Sequence, residues 1–351
     1  MSPIKILHVV ADSTQTGAPL QVYYLCKGLS ETHSVHLACP NGWLADIAEK
    51  AGIQVYRLPV TPWKTSQIKY INYVISSVKP ALVHCHGVRA GLWTRLAPTS
   101  GHRPIVYTEH LWTGDFHLKS RLRELIQLST LRQLGHKTSY TIGVSDSVTT
   151  FMRAQGCTTK ERSETIYCGL EPHDVLQPSS DSLHIGTLGS LTYIKNVAAL
   201  IEATALVQQS TPLTLHIGGD GPDMEELKTL AKENSVHTVW HGQLQDSATF
   251  FKNLTIYVQP SLSESFGIAA LEAMSCGIPT ILSNRGGLKE VGGDAVLYSE
   301  PDTIQLAATI QRLSEDTTLQ KQLRTRGPKR AHEFSVERMV TAHVQVYKKL
   351  L

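Results

Sequence analysis

Residues 260–279 read PSLSESFGIAALEAMSCGIP and follow the strand-like run Ile256–Gln259. The pattern is that of a strand, a polar loop and an apolar helix that begins near Gly267. Backbone N–H groups at a helix start have no partner inside the helix and can bind phosphate or sugar oxygens. Glu264 precedes this start and Glu272 lies two turns inside, so the helical rise separates the two carboxylates by roughly 12 Å. The stretch predicts a site that grips both ends of an extended ligand; the alternative is a capping glutamate and a surface glutamate.

Strand-like runs alternate with helical periodicity on both sides of this stretch. In the first half the predicted strands are Ile4–Val10, Ser34–Ala38, Ile53–Leu58, Ala81–His84, Ile105–Thr108 and Tyr140–Val144. In the second half they are Leu183–Gly189, Leu213–Ile217, Thr238–His241, Ile256–Gln259 and Pro279–Ser283. Strands separated by helices pair in parallel through right-handed crossovers. The sequence therefore predicts an α/β protein with two doubly wound parallel sheets, whose ligands bind beyond the carboxyl ends of the strands.

The alternation breaks at residues 171–182, which contain Pro172, Pro178 and a run of polar residues. Proline and serine clusters are typical of connections between domains. A chain of 351 residues is also long enough for two domains. We therefore predict an N-terminal domain over residues 1–175 and a C-terminal domain over residues 182–334.

The composition excludes several classes of protein. Hydrophobic residues make up 41% and charged residues 18%, which predicts well-buried cores, and a net charge of +3 favours no nucleic-acid partner. No run approaches the ~18 apolar residues of a membrane span, and no secretory signal is recognised before the first strand. Six scattered cysteines form no C-x-x-C pair. This usage favours a reducing cytosol and argues against a zinc ribbon or a disulfide framework.

Positive charge is concentrated in the first half of the chain. Residues 1–180 contain 18 Lys+Arg against 12 Asp+Glu, whereas residues 181–351 contain 15 against 18. The excess favours an anionic partner there, although ordinary surface solubility explains it equally well. Residues 117–137, HLKSRLRELIQLSTLRQLGHK, form a basic amphipathic helix. Such a helix either lies on an anionic membrane or packs its leucines into its own domain.

The stretch at 260–279 resembles the retaining glycosyltransferases of family 4. Their hallmark is a pair of glutamates separated by seven residues, with Phe-Gly after the first, and Glu264 and Glu272 fit it. The resemblance spans nearly the whole chain and is strongest over residues 183–292. It implies the GT-B architecture of two Rossmann-like domains that face a central cleft. It also implies that the C-terminal helix, residues 335–351, packs back on the first domain.

A second motif, GSLTYIKN at residues 189–196, follows a strand and opens a helix. Lys195 can therefore approach a phosphate, and such a contact is worth about 4 kcal/mol at an effective dielectric of ~20. In the family this lysine and an arginine five residues earlier hold the donor diphosphate. Here the arginine position is Ser190, so the site has either lost one positive charge or takes it from elsewhere, with Arg285 as the candidate. The alternative for Lys195 is a solvated helix lysine.

The resemblance assigns roles to the remaining donor-site residues. Glu264 orients the sugar, Glu272 binds the ribose diol and Leu244 contacts the base. The full set of implied donor contacts is Gly17, Gly189, Ser190, Leu244, Ser265, Phe266, Gly267, Ile268 and Glu272. The turn GGDGP at residues 218–222 is either part of the nucleotide site or purely structural.

The first half offers two histidine motifs at strand ends. His84 and His86 lie on one face of a strand, but no third and fourth ligands accompany them, so we predict no metal site. His86 matches a family histidine beside the transferred sugar, which completes a catalytic set with Lys195 and Glu264. His110 ends the next strand and is assigned to the acceptor side; the alternative is a structural histidine.

These residues together predict a retaining glycosyltransferase that needs no metal, since no Asp-x-Asp motif is found, and no cofactor. It would move a sugar from a nucleotide-diphosphate sugar to a carbohydrate or lipid-linked acceptor, in cell-envelope polysaccharide or glycolipid synthesis. We expect it in the cytoplasm, with possible peripheral contact to the inner face of the membrane. Two alternatives stay open: a sugar-nucleotide epimerase of the same architecture and a non-catalytic sugar-nucleotide-binding protein. A dehydrogenase is disfavoured because neither first strand is followed by G-x-G-x-x-G.

Overall fold

The chain folds into two compact units that are described separately. The first comprises Met1–Gly169 and Val336–Leu351, and the second comprises Leu170–Ser335. A computed structural model describes residues 3–59, 65–118, 120–171, 173–176, 182–244 and 246–351. Lys119 and half of the predicted connection at 171–182, residues 172 and 177–181, lie outside the described residues.

The first unit is a parallel sheet covered by helices. Its strands are β1 (Lys5–Val10), β2 (Ser34–Pro40), β3 (Gln54–Leu58), β4 (Leu82–His86), β5 (Ile105–Glu109), β6 (Tyr140–Gly143) and β7 (Ser163–Thr165). Its helices are α1 (Gly17–Ser30), α2 (Trp43–Lys50), α3 (Thr65–Val78), α4 (Gly87–Leu96), α5 (Arg121–Leu134), α6 (Asp146–Ala154) and the C-terminal α14 (Val336–Leu350). The strand order is β3-β2-β1-β4-β5-β6-β7, and every pair is parallel.

The second unit repeats this architecture. Its strands are β8 (Leu183–Leu188), β9 (Leu213–Gly218), β10 (Thr238–Gly242), β11 (Ile256–Gln259), β12 (Thr280–Ser283) and β13 (Leu297–Ser299). Its helices are α7 (Val197–Gln208), α8 (Met224–Glu233), α9 (Ser247–Phe251), α10 (Ile268–Ser275), α11 (Leu288–Gly292), α12 (Thr303–Glu315) and α13 (Thr317–Ala331). The order is β10-β9-β8-β11-β12-β13, again all parallel.

Burial explains why these segments form central strands. Leu7, Val106, Ile217 and Ile281 have no exposed surface. Strands of a parallel sheet are covered on both faces, so they appear in the sequence as short continuous apolar runs. The predicted fold class, two Rossmann-like parallel-sheet domains, is confirmed.

The strand order reverses once in each sheet, between β1 and β4 and between β8 and β11. At such a point the loops after the two adjacent strands turn away from each other and leave a crevice at the carboxyl edge. In the second unit these loops are residues 189–196 and 260–267, which are the two motifs singled out in the sequence. The fold therefore brings both motifs to one edge of one sheet.

The C-terminal helix α14 belongs to the first unit. Met339, Val346 and Tyr347 are buried in the core of that unit. In α1, a Cβ added at Gly28 would lie 2.6 Å from a methyl group of Val340, so the two helices touch closely there. The family resemblance had implied that this C-terminal helix packs on the first domain.

Helix α13 continues through the basic stretch 324–330, although this stretch contains Pro328. A Cβ at the preceding Gly327 would lie 2.9 Å from the carbonyl oxygen of Met274, so α13 packs tightly on α10. This tertiary contact outweighs the poor helix propensity of Gly-Pro.

Candidate active site

Three loops meet at the carboxyl edge of the second sheet: residues 189–196 after β8, 260–267 after β11 and 284–287 after β12. The Leu262 N–H donates to the Ile194 carbonyl at 2.8 Å, which joins the first two loops. The Gly287 N–H donates to the Glu264 carbonyl at 2.9 Å, which joins the last two. The loops therefore form one hydrogen-bonded assembly.

Asn196 ties the assembly to a fourth strand end. Its backbone adopts the left-handed conformation, with φ of 54°, which asparagine tolerates better than most residues. Its side-chain amide donates to the carbonyl of Pro260 at 3.2 Å and to that of Pro301 at 2.7 Å. The residue that follows Lys195 is thus held in place by two neighbouring loops.

Lys195 and Glu264 form an ion pair at the centre of this edge. The Lys195 ammonium lies 2.5 Å from Oε2 of Glu264, and the two side chains are 26% and 11% exposed. The same Oε2 accepts from the Gln259 amide at 2.6 Å and from the Ser261 hydroxyl at 3.4 Å. The hydroxyl of Tyr257 donates to Oε1 of Gln259 at 3.0 Å, which orients that amide.

All the described donors to Glu264 converge on one carboxylate oxygen. Within the described part of the chain, Oε1 of Glu264 has no hydrogen-bond partner. A carboxylate oxygen that is fixed in place yet unoccupied can accept from hydroxyl groups of a ligand. The geometry therefore leaves Oε1 available for a sugar.

Gly286 and Gly287 allow the loop after β12 to press against the Glu264 loop. Gly286 has a φ of +47°, and a Cβ on it would overlap the carbonyl oxygen of Glu264. A Cβ on Gly287 would overlap the carbonyl oxygen of Ser265. The backbone of the Glu264 loop is thus in direct contact with the backbone of the loop after β12.

Helix α10 begins at Gly267 without a side-chain cap. Gly267 is left-handed, with φ of +103°, and a Cβ on it would lie 2.5 Å from a methyl group of Leu288. Phe266 is buried, with its ring centroid 5.6 Å from that of Phe334. The first N–H groups of α10, beginning at Ile268, have no side-chain cap, so they can bind a phosphate or sugar oxygen.

Glu272 faces a different loop from Glu264. It is buried in α10, and burial raises its pKa from 4.5 to about 7. A hydrogen bond from Ser247 lowers the pKa in part, while the nearby Asp246 carboxylate raises it. Both neighbours belong to the segment after β10. Glu272 therefore faces the loop after β10, whereas Glu264 faces the loop after β8.

The loops on the β9 and β10 side hold the remaining candidates. The Gly189 N–H donates to the Gly218 carbonyl at 3.1 Å. Leu244 is half-buried, and its methyl group lies 3.1 Å from where a Cβ on Gly218 would be. Ser190 is exposed and brings no charge. The candidate substitute, Arg285, is on the loop after β12, where its guanidinium pairs with Glu300 at 2.8 Å.

In the first unit, three imidazoles line up across the adjacent strands β1, β4 and β5. Nδ1 of His8 lies 3.0 Å from Nε2 of His86, and Nδ1 of His86 lies 3.2 Å from Nε2 of His110. Both ring nitrogens of His86 are therefore occupied by other imidazoles. His110 is half-buried, and its Nδ1 has no partner among the described residues. The family resemblance had assigned a sugar contact to His86, but a ring whose two nitrogens both contact imidazoles has neither nitrogen left for a sugar.

His8, which the sequence pattern did not single out, is a third histidine beside His84 and His86. Parallel pairing of β1 with β4 sets His8 opposite His84, and nitrogens of all three residues lie within 4.8 Å of one another. However, the two nitrogens of His84 bond to the hydroxyls of Tyr347 at 2.6 Å and Thr108 at 2.7 Å. His84 thus has no free lone pair for a metal. His8 is identified by the register between β1 and β4, which the sequence alone does not give.

A buried carboxylate fixes the loop that carries His110. Glu109 has no exposed surface, and burial raises its pKa. It accepts from the Tyr107 hydroxyl and from the N–H groups of His110 and Leu111. The Glu109–His110 turn is therefore rigid where it leaves β5.

Gly17 is the first residue of α1 and is half-buried at the carboxyl edge of the first sheet. The preceding Thr16 makes no side-chain cap, and the first turn has no acidic residue. An uncapped helix start without negative charge suits an anionic ligand. Gly17 is compatible with its assigned role.

Helix α5 exposes apolar residues rather than burying them. Leu122, Leu125 and Ile126 are 68%, 65% and 56% exposed. Of the leucines in this helix, Leu131 is the buried one. The neighbouring arginines, Arg121, Arg123 and Arg132, are exposed too. The alternative that the leucines pack into their own domain therefore holds for Leu131 but not for Leu122 and Leu125.

No helix in the described ranges has the length and apolar character needed to cross a bilayer.

Two adjoining family matches cover most of the chain. Residues 16–174 match the family described as "Glycosyltransferase Family 4", and residues 172–330 match the family described as "Glycosyl transferases group 1". The second match contains Lys195, Glu264 and Glu272. The chain belongs to these families: it is a glycosyltransferase of the GT-B class with a family 4-like sequence.

Relatives of known sequence are also described as glycosyltransferases. The chain is 25% identical over 343 residues to the putative glycosyltransferase EpsD of Bacillus subtilis, covering 89% of this chain and 88% of that protein. It is 32% identical over 178 residues to the O-antigen chain mannosyltransferase B of Escherichia coli, covering 48% of this chain and 46% of that protein.

Solved structures show the same fold. The Anabaena protein Alr3699/HepE, in complex with UDP-glucose, superposes with a TM-score of 0.84 at 21% identity, covering 99% of this chain and all of that one. Sucrose-phosphate synthase from Thermosynechococcus elongatus superposes with a TM-score of 0.82 at 18% identity, with 99% of each chain covered. At this level of identity the similarity establishes the architecture.

Proposed function

We propose that this enzyme transfers a sugar from a nucleotide-diphosphate sugar to a hydroxyl of a carbohydrate or lipid-linked acceptor, with retention of anomeric configuration. The observation that carries the proposal is the Lys195–Glu264 pair beside the uncapped start of α10, with buried Glu272 further along the same helix. At this sheet edge a cation and backbone N–H groups can bind the diphosphate of a nucleotide sugar. Two carboxyl groups can accept hydrogen bonds from the hydroxyls of its sugar and its ribose.

The donor diphosphate would be held by Lys195 and by backbone N–H groups at Gly267 and Ile268. As the bond to the sugar breaks, negative charge grows on the departing diphosphate, and fixed donors in a partly buried site stabilise it. Lys195 pairs with Glu264 at rest, so the ammonium is already positioned by a carboxylate that the sugar can then share. We propose that no metal ion is required.

The two glutamates would hold opposite ends of the donor. Oε1 of Glu264 accepts from sugar hydroxyls, since the other oxygen is engaged by the protein. Glu272 binds the ribose diol, and Leu244 contacts the base. Because the pKa of Glu272 is about 7, its carboxyl can donate as well as accept a hydrogen bond near neutral pH.

Retention would follow from attack of the acceptor hydroxyl on the face that the diphosphate leaves. The departing phosphate oxygen takes up the proton of the hydroxyl as the new glycosidic bond forms. His110, at the carboxyl edge of the first sheet, would supply a polar contact on the acceptor side, with His86 behind it. The helix start at Gly17 would contribute to donor binding. A role in cell-envelope polysaccharide or glycolipid synthesis accords with the similarity to the O-antigen chain mannosyltransferase B of Escherichia coli.

The test is product analysis after incubation with a panel of nucleotide sugars, each with and without candidate carbohydrate and lipid-linked acceptors. We expect nucleotide release that depends on the acceptor, and a product whose anomeric proton coupling matches that of the donor. Conversion of the donor without any acceptor would indicate the epimerase. Tight donor binding that never releases nucleotide would indicate the non-catalytic binding protein.

We further propose that α5 attaches the enzyme to an anionic membrane surface. Its exposed Leu122, Leu125 and Ile126 are flanked by exposed arginines, and this combination suits the boundary between headgroups and acyl chains. The peripheral location is thus assigned to one helix of the first unit.

Sedimentation with lipid vesicles tests the attachment. We expect binding to vesicles that contain phosphatidylglycerol, weaker binding at high salt, and little binding to pure phosphatidylcholine. The double variant Leu122→Ser/Leu125→Ser should lose at least about tenfold in partitioning, because each leucine loses its buried apolar area. Ile304→Ser, at a residue 66% exposed in the second unit, is the matched control. Equal binding by both variants would remove α5 from the contact.

A further inference from the structure

Three imidazoles in the first unit form a continuous hydrogen-bonded row. His8 on β1, His86 at the end of β4 and His110 after β5 are joined by Nδ1-to-Nε2 contacts of 3.0 and 3.2 Å. His8 is fully buried and His86 is 6% exposed. The row therefore runs from the interior of the sheet to the half-buried His110 at its carboxyl edge.

All three imidazoles are neutral at physiological pH. Burial lowers the pKa of His8 to about 3 and that of His110 to about 4, and it holds the pKa of His86 well below its usual range. The nearby imidazole of His343 lowers all three further. His84, also close, is uncharged for the same reason.

A neutral imidazole carries one N–H and one lone pair. In a row joined Nδ1 to Nε2, each contact needs one donor and one acceptor. The row is therefore satisfied in two ways alone: all three residues carry the proton on Nδ1, or all three carry it on Nε2. The state of the buried end determines the state of the exposed end.

The buried end favours one of these states. Nε2 of His8 is buried and has no partner in the described structure. An orphaned buried N–H is rarer in proteins than an acceptor without a donor, so this nitrogen should be the bare one. His8 then donates from Nδ1 to His86, which donates from Nδ1 to His110. At the exposed end, His110 presents an N–H at Nδ1.

We propose that His8 is a positioning residue that fixes the tautomer of His110 through His86, so that His110 offers a hydrogen-bond donor to an oxygen of the acceptor. The ligand in this statement rests on the proposed function, whereas the order of the protons does not. His86 acts through His110, because both of its own nitrogens are engaged. The row sets a direction for hydrogen bonding and carries no net charge.

The direct test is the tautomeric state in the resting protein. Two-bond ¹⁵N–¹H correlation spectra of protein labelled in histidine distinguish a protonated from a bare ring nitrogen at pH 7.5, and single variants assign the signals. We expect the Nδ1–H form for His8, His86 and His110. An Nε2–H form at any of the three, or an imidazolium, would overturn the proposal. This experiment needs no substrate.

Two substitutions at His8 separate positioning from packing. His8→Asn keeps an N–H near the place of Nδ1, whereas His8→Leu removes the donor. We expect His8→Leu to give a mixture of tautomers at His110 and to raise KM for the acceptor about tenfold, with kcat changed less. His8→Asn should stay within about twofold of the wild type in both measurements.

His343→Leu is the matched control, since it removes a buried imidazole whose Nδ1 bonds to the Met339 carbonyl outside the row. It should leave the tautomer of His110 unchanged. Equal losses in His8→Asn and His8→Leu, with the tautomer of His110 unchanged, would reduce His8 to a packing residue. If no donor and acceptor pair turns over in the wild type, the proposed function fails, while the spectra still decide the proton order.

Discussion

At the scale of single residues, Lys195 carries the largest predicted effect on chemistry. Its ammonium is the cation placed at the Glu264 loop, and the position that would supply a second one is Ser190. Lys195→Ala should therefore lower kcat by roughly 30- to 1,000-fold, which corresponds to about 2–4 kcal/mol of transition-state stabilisation. Steady-state assays of nucleotide release measure this directly.

Lys228→Ala is the control for this substitution. Lys228 is an exposed lysine that pairs with Glu225 at 2.8 Å on α8, so its loss should leave kcat unchanged. A loss of less than threefold in Lys195→Ala would remove Lys195 from the mechanism. Equal losses in both variants would point to a general effect of charge.

Glu272 should make stability depend on pH. The pKa of its carboxyl is 4.5 in the unfolded chain and about 7 in the folded protein. Between these pH values the carboxyl is ionised in the unfolded chain and protonated in the folded protein, so folding takes up a proton. Stability contributed by the protonated form is present at low pH and is lost as pH rises through 7. The shift corresponds to about 3 kcal/mol at pH 8.

Glu272→Gln is neutral in both states and lacks this term. We expect the unfolding free energy of the wild type, relative to Glu272→Gln, to fall by about 2–3 kcal/mol between pH 5 and pH 8. Urea titrations at the two pH values measure the difference. A difference that does not change with pH would show that the carboxyl is not desolvated in the folded protein.

The sequence predicted the acids and the lysine because each is part of a local motif. Lys195 and Glu264 lie within a few residues of a strand end, and Glu272 lies in the helix that follows the Glu264 loop. The resemblance to family 4 glycosyltransferases then assigned a role to each. His8 lies in the middle of an apolar strand, and its meaning depends on the register between β1 and β4. Contacts across strands are tertiary information, which explains why the imidazole row escaped the sequence analysis.

At the scale of elements, backbone contact between loops supports the site. A Cβ on Gly286 would overlap the Glu264 carbonyl oxygen and would also meet an unfavourable φ of +47°. Gly286→Ala should therefore displace the Glu264 loop and lower kcat/KM by at least about tenfold, beyond the 1–2 kcal/mol of left-handed strain. Kinetics together with thermal unfolding separate the two effects.

Gly52→Ala isolates the strain. Gly52 has a φ of +79° with nothing within 4 Å of an added Cβ. It should lose stability to a similar extent from strain while keeping kcat/KM within about twofold. If Gly286→Ala behaves like Gly52→Ala in the assay, the contact between the loops does not position Glu264.

Elements were predicted well where periodicity and burial agree, and poorly where they do not. The apolar runs of the central strands and α10 have the predicted positions within one or two residues. No helix was predicted for residues 317–331, where Gly327 and Pro328 have poor helix propensity and where packing of α13 on α10 stabilises the helix. In α5 the pattern of leucines and arginines fitted two environments equally, and the exposure of Leu122 and Leu125 decided between them.

At the scale of the whole molecule, the proposed reaction needs no metal ion. In the proposed reaction, the negative charge on the leaving diphosphate would be stabilised by Lys195 and by backbone N–H donors. Treatment with EDTA should therefore leave kcat/KM within about twofold of the untreated enzyme. Loss of activity that added magnesium restores would contradict this part of the account.

The central claim is that Lys195, Glu264 and Glu272 together bind a nucleotide-diphosphate sugar. A thermal-shift screen of nucleotide sugars against the wild type, Lys195→Ala, Glu272→Gln and Lys228→Ala tests it most directly, because a ligand that binds the native state raises its apparent stability. The account predicts that at least one nucleotide sugar raises Tm of the wild type and of Lys228→Ala, and that the shift is largely lost in Lys195→Ala and Glu272→Gln. No shift with any nucleotide sugar, or an equal shift in all four proteins, would contradict it.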